Sequence, residues 1–282
     1  MDFWDILADT LIDNLKLFPF LLITYLFLEY MEAKMSERTA TWVKKAGAGG
    51  PFIGSLCGAL PQCGFAAAAS NLYAARVISI GTLMAIYLTT SDETLPILFS
   101  NGASYALMAQ IIGYKFCCGV VCGYVIDYLW RRKHTQPNVN IEQLCENEHC
   151  HCDGEEGIWR PALVHATRIT LFIFAITLVL NILFAYVRIS AWKDCLQIPM
   201  LSEALSGLFG LLPNCSASVV LTQLYLENCI NLSTLFSGSL VNGGVGLLIL
   251  FRVNRNIKEN MAILALLYIC GVSGGLLSRL IF

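Results

Sequence analysis

Charge is what this chain lacks. Only 13% of its 282 residues are Asp, Glu, Lys or Arg, about half the roughly 25% of a soluble globular protein. With 56% hydrophobic residues, that deficit excludes an ordinary water-facing surface and implies an integral membrane protein. A net charge of −2 gives no basis for a nucleic-acid partner. The chain has no Gly-x-x-x-x-Gly-Lys-Ser/Thr stretch, which argues against an ATP-driven pump. Cys-x-x-Cys is also absent, which weakens a membrane thiol-redox protein as an alternative. No basic segment precedes a short apolar core at the N-terminus. Asp2, Asp5, Asp9 and Asp13 instead alternate with Trp4, Ile6, Leu7 and Leu11. An acidic amphipathic segment is expected there, with no cleaved signal peptide. Of the twelve cysteines, Cys57, Cys117, Cys118, Cys122, Cys229 and Cys270 lie in apolar runs and read as small packing residues.

What the chain does have is a repeat. Gly-Ala-Leu-Pro-Gln-Cys-Gly at Gly58–Gly64 recurs as Gly-Leu-Leu-Pro-Asn-Cys-Ser at Gly210–Ser216, and the register holds without a gap to Ser100 and Arg252. Shared Leu and Ile could follow from composition, but a doubled Pro-x-Cys with Tyr73 and Tyr225 ten positions on could not easily do so. The chain therefore reads as an internal duplication: a first transmembrane repeat over 1–133, an acidic Cys/His-containing linker over 134–160, and a second repeat over 161–282.

Lys and Arg bias cytoplasmic loops. If each repeat crosses the membrane an odd number of times, Lys34–Lys45, Arg76, Arg131–Lys133, the linker and Arg252–Lys258 all fall on one side. Odd crossings invert the second repeat relative to the first. The expected fold is all-α, with two inverted-topology repeats and broken or re-entrant helices meeting near the bilayer midplane, the plan of many secondary transporters. The expected setting is the bacterial inner (plasma) membrane, multi-pass, with both termini outside and the linker cytoplasmic. Half-helices of about ten residues beside Pro61 fall short of the roughly 20 needed to span.

Proline ends a helix, so Gln62-Cys63-Gly64 and Asn214-Cys215-Ser216 are expected to open new half-helices. A helix N-terminus offers free N–H groups and positive potential to an anion, and Cys is a ligand for thiophilic ions. These six residues, with Thr90, Ser91, Asn242 and Gly243, form the expected substrate site; Thr89 adds a hydroxyl. Asp92, Glu93 and Lys115 are ionisable residues within apolar runs and are expected to couple transport to protons or a cation. Gly244 and Val245 stand where Asp92 and Glu93 do in the first repeat. Coupling is thus built from one repeat. Gln110 and Glu203 are weaker candidates. In the linker, Cys145, His149, Cys150, His151 and Cys152 could supply a Zn²⁺ site, although their spacing matches no standard finger.

Together, Pro61-Gln62-Cys63-Gly64, Ser91-Asp92-Glu93 with Pro96, Pro213-Asn214-Cys215-Ser216, Asn242-Gly243-Gly244 and the Cys/His linker resemble the ten-helix heavy-metal exporters grouped with arsenic-efflux permeases. The resemblance implies a prokaryotic inner-membrane exporter. The leading expectation is a secondary exporter of a metalloid or inorganic oxyanion working by alternating access, not an enzyme. The alternative is a Mn²⁺ or Zn²⁺ exporter using Asp92, Glu93 and Asn242. Partners are the lipid bilayer, a small inorganic ion and a second copy of the chain in a homodimer.

Overall fold

A computed structural model describes residues 3–34, 49–60, 63–91, 94–131, 159–186 and 200–282. Pro61, Gln62, Asp92, Glu93, the linker ligands Cys145 to Cys152 and the side chains of Cys63, Cys215 and Ser216 lie outside the described residues. The described residues form twelve helices: α1 (Phe3–Lys34), α2 (Gly50–Gly58), α3 (Cys63–Ala74), α4 (Ile80–Thr89), α5 (Thr94–Ser100), α6 (Tyr105–Arg131), α7 (Trp159–Tyr186), α8 (Leu201–Gly210), α9 (Cys215–Leu226), α10 (Leu232–Val241), α11 (Gly244–Val253) and α12 (Ile257–Ile281). Four described stretches are long and apolar enough to cross a membrane: Tyr105–Leu129, Ala162–Val179, Leu232–Val253 and Ile257–Ile281.

The short helices end where the sequence forbids continuation. Pro51 opens α2, and nine residues make only about 14 Å of helix. The 12-residue α3 is about 18 Å long, again less than the roughly 30 Å hydrocarbon core. The second repeat matches this to within one residue, with 10 residues in α8 and 12 in α9 and Pro213 between them. α4 stops because Thr90 turns to φ −56°, ψ 129°, and α10 stops because Asn242 turns to φ −68°, ψ 90°.

Packing order recurs with the sequence. α2 lies along α4 and α4 packs on α6; α8 likewise lies along α10 and α10 packs on α12. Close approach is set by small residues at equivalent positions. A Cβ on Gly58 would stand 2.7 Å from Ile86 O, and one on Gly210 would stand 2.2 Å from the equivalent carbonyl, Gly238 O. Both α3 and α9 end in a Schellman turn, with Val77 N bonded to Leu72 O and Cys229 N to Leu224 O, each at 2.8 Å. The left-handed residue of that turn is Arg76 in one repeat and Asn228 in the other.

The halves interlock. α3 packs on α11, α9 on α5 and α1 on α7, and α4 touches α10. Ser70 Oγ reaches Gly246 O at 2.7 Å. α1 and α7 run antiparallel, with Asn14 beside Thr177 and Thr10 beside Asn181. α6 and α12 also meet antiparallel, where the Tyr114 hydroxyl donates to Gly274 O and Cys122 faces Cys270. One hydrophobic core takes Leu83, Met84, Tyr87 and Leu88 from the first half and Phe236, Leu240 and Leu267 from the second.

These contacts make glycine substitutions diagnostic. Gly210→Ala should destabilise the protein by at least the 1–3 kcal/mol typical of overpacking, because its clash is with backbone. Gly113→Ala, in α6 with nothing within 4 Å, should instead stabilise by about 0.5–1 kcal/mol. Thermal unfolding in detergent tests both; a Gly210→Ala protein as stable as wild type would contradict the packing.

Candidate functional site

The interior is organised around one cation. Lys115 of α6 is 1% exposed. Its ammonium donates to Thr90 O and, at 2.8 Å, to Ser239 O. Thr90 is the C-cap of α4 and Ser239 lies in the last turn of α10. Helix C-termini carry negative potential, so one buried positive charge is held by two negative helix ends, one from each repeat. The charge that sequence reasoning assigns to coupling therefore also joins the interruption after α4 to that after α10.

The nearby hydroxyls are engaged. Thr89 Oγ1 donates to Ala85 O at 2.5 Å, Thr90 Oγ1 to Ile86 O at 2.7 Å and Ser91 Oγ to Thr89 O at 3.3 Å. Each hydroxyl has one proton to give, so in this conformation none offers a hydrogen bond to an anion. Asn242, also buried, accepts Gly244 N at 3.0 Å and thereby caps α11. Gly243 beside it is buried as well.

α11 and α3 begin side by side. A Cβ on Gly246 would stand 2.7 Å from Ala66 O, and each of these residues belongs to the first turn of its helix. Two positive helix ends therefore share one region, with Gly64 buried at the start of α3.

Asn214, at the approach to α9, turns its side chain to α7. Its Nδ2 donates to Asn181 Oδ1 at 2.6 Å, and Asn181 Nδ2 donates to Thr10 Oγ1 at 2.8 Å. Asn14 Nδ2 extends this ladder to Thr10 O at 2.8 Å and Thr177 Oγ1 at 3.4 Å. Asn14 Oδ1 is buried with no partner among the described residues. Sequence reasoning missed this polar track between α1 and α7. Asn181 within Leu-Val-Leu-Asn-Ile-Leu-Phe was the available signal, since a carboxamide in an apolar helix requires a partner.

Two buried carboxylates occupy opposite helix starts. Asp127 Oδ2 accepts Ser79 Oγ at 2.7 Å and Asp127 Oδ1 accepts Gly81 N at 2.8 Å, at the start of α4. Glu203 accepts Ser202 Oγ and Ser233 Oγ, each at 2.9 Å, at the start of α10. Each opposes the positive end of its helix. Glu203 is therefore an anchor in this conformation, and Asp127 is one that sequence reasoning did not find. Gln110 is exposed. Among the described residues, no three His, Cys, Asp or Glu side chains gather to hold a metal.

One ion pair links the halves at the membrane face that carries the α3–α4 loop. Arg76 donates to both Glu259 oxygens, at 2.5 and 2.8 Å, and Tyr73 OH donates to the same carboxylate. Those bonds raise the affinity of the guanidinium for its proton, so Arg76 stays charged. It adopts φ +58°, a left-handed conformation costly for an arginine.

Residues 3–191 match a family described as "Putative, 10TM heavy-metal exporter", a match that covers α1 to α7. The chain belongs to this family. No curated protein and no solved structure matches it.

Proposed function

We propose, from the premise that the chain belongs to a heavy-metal exporter family, that it is a secondary transporter expelling a thiophilic metal or metalloid by alternating access. The observation that carries this reading is the meeting of interrupted helices. α4 and α10 end on Lys115, and α11, two residues beyond α10, begins beside α3. Cys63 and Cys215, the first residues of α3 and α9, are the proposed ligands, and Gln62, Gly64, Asn214, Ser216, Thr90, Ser91, Asn242 and Gly243 complete the proposed substrate site. The antiparallel α1/α7 and α6/α12 pairs support an inverted-repeat reading. The 9- and 12-residue half-helices support a broken or re-entrant element.

Asp92 and Glu93, the second and third residues after Thr90 in sequence, are the proposed proton-coupling groups. The hard-cation alternative would use Asp92, Glu93 and Asn242, whose carboxamide oxygen accepts Gly244 N and keeps a second lone pair. The multi-pass chain is proposed to lie in the bacterial inner membrane with its linker cytoplasmic and able to bind Zn²⁺, and to pair as a homodimer.

A Cys63→Ser/Cys215→Ser protein in everted vesicles should lose at least tenfold of arsenite or soft-metal flux. That figure corresponds to about 1.4 kcal/mol of lost ligand interaction. Flux at the wild-type rate would exclude ligation by these thiols.

A further inference from the structure

A second set of thiols lies away from the helix breaks, on the seam where α6 meets α12. The register of that seam is fixed by three contacts. Tyr114 OH donates to Gly274 O, the Tyr114 and Phe282 rings stand 5.8 Å apart, and Cys118 Sγ lies 3.7 Å from where a Cβ on Gly274 would be. The helices run antiparallel, so one turn further along α6 comes Cys122 and one turn back along α12 comes Cys270. That register sets Cys122 opposite Cys270 across the seam. Both are free and half-buried, and neighbouring Cys117 is exposed.

We propose that Cys122 and Cys270 form a two-thiol site for a thiophilic metal or trivalent metalloid, bridging the two halves of the chain. The chemistry suits the surroundings. Two thiolates on a divalent soft cation, or on an organoarsenic(III) centre, give a complex of no net charge, which an apolar seam tolerates where a bare ion would not. The seam is apolar: the Phe236 and Tyr114 rings pack tilted at 54° with centroids 4.6 Å apart, and Leu240 lies over Gly274. The duplication isolates the site. Cys118 and Cys270 are equivalent, but the position equivalent to Cys122 is Gly274, so only one facing pair exists on this seam. Binding here does not depend on transport through the helix-break region, and either can fail without the other.

Phenylarsine oxide is a suitable probe. Two As–S bonds form, the two thiol protons leave with the oxo oxygen as water, and arsenic stays trivalent. Native mass spectrometry of the full chain should show Cys122→Ser, Cys270→Ser and the double variant each binding one equivalent fewer than wild type, with no further loss in the double. Cys117→Ser should bind as wild type does. Equal binding by all of these proteins, or losses that add in the double variant, would overturn the site. If the variants do not fold, wild-type protein treated with copper phenanthroline and peptide-mapped decides the matter. A Cys122–Cys270 disulfide is expected, and failure to detect it while both thiols alkylate freely would sink the proposal.

Discussion

Lys115→Met should reduce transport by at least tenfold while changing stability much less. The two effects separate because opposing terms meet at this residue. Removing the ammonium leaves Thr90 O and Ser239 O without their donor, and an unsatisfied buried carbonyl costs about 1–3 kcal/mol. Deleting a buried charge also removes a desolvation penalty of several kcal/mol. Those terms largely cancel in the unfolding free energy. They do not cancel in function, because no other described contact of this kind draws together the ends of α4 and α10. Lys115→Arg keeps the charge but puts a planar fork where a compact ammonium fits, so it should rescue only partly. Flux in everted vesicles and thermal unfolding should be measured on the same preparations. A Lys115→Met protein transporting within twofold of wild type would remove the residue from the mechanism.

Arg76→Ala or Glu259→Gln should open the face of the protein that carries the α3–α4 loop. The pair is bidentate, but the guanidinium is 37% exposed and the carboxylate 12%, which places it between a surface pair worth 0–1 kcal/mol and a buried one costing 3–5 when broken. About 1.4 kcal/mol is a reasonable middle value and corresponds to a tenfold rise in the open population. The equivalent positions of the other repeat cannot form such a pair, because Asn228 stands in place of Arg76 and Leu107 in place of Glu259. A Ser91→Cys thiol near the helix ends should therefore react about tenfold faster with a membrane-impermeant maleimide applied from the α3–α4 side when Arg76 is Ala. An unchanged labelling rate would reduce the pair to a static tie.

The long helices and the interruptions were legible because apolar length and proline act locally. Pro213 breaks the chain between α8 and α9, and α6 runs from Tyr105 to Arg131, close to the span its hydropathy predicts. The partners of the polar residues were not legible. Lys115 stood out as an ionisable residue in an apolar run, but no residue type announces the two backbone carbonyls it binds. Asp127 and Glu203 arise from different helices, α6 and α8, and cap equivalent helix starts. A gap-free comparison of the repeats cannot detect that correspondence, since the residues are not equivalent in sequence. Cys122 facing Cys270 needed the antiparallel register of two helices that lie some 150 positions apart.

The interlocking of the halves also sets an order of events during synthesis. Ser70 waits for a carbonyl 176 residues downstream, and at 5–20 residues per second that segment takes about 9–35 s to emerge. For that interval α3 has been made but its partner α11 has not. The half-helices on either side of Pro61 are each too short to span the bilayer by themselves. α6 is long enough to cross the membrane without the second repeat, whereas α3 gains its packing partner only when α11 arrives. Assembly of the transport core is in that sense completed by the last third of the chain.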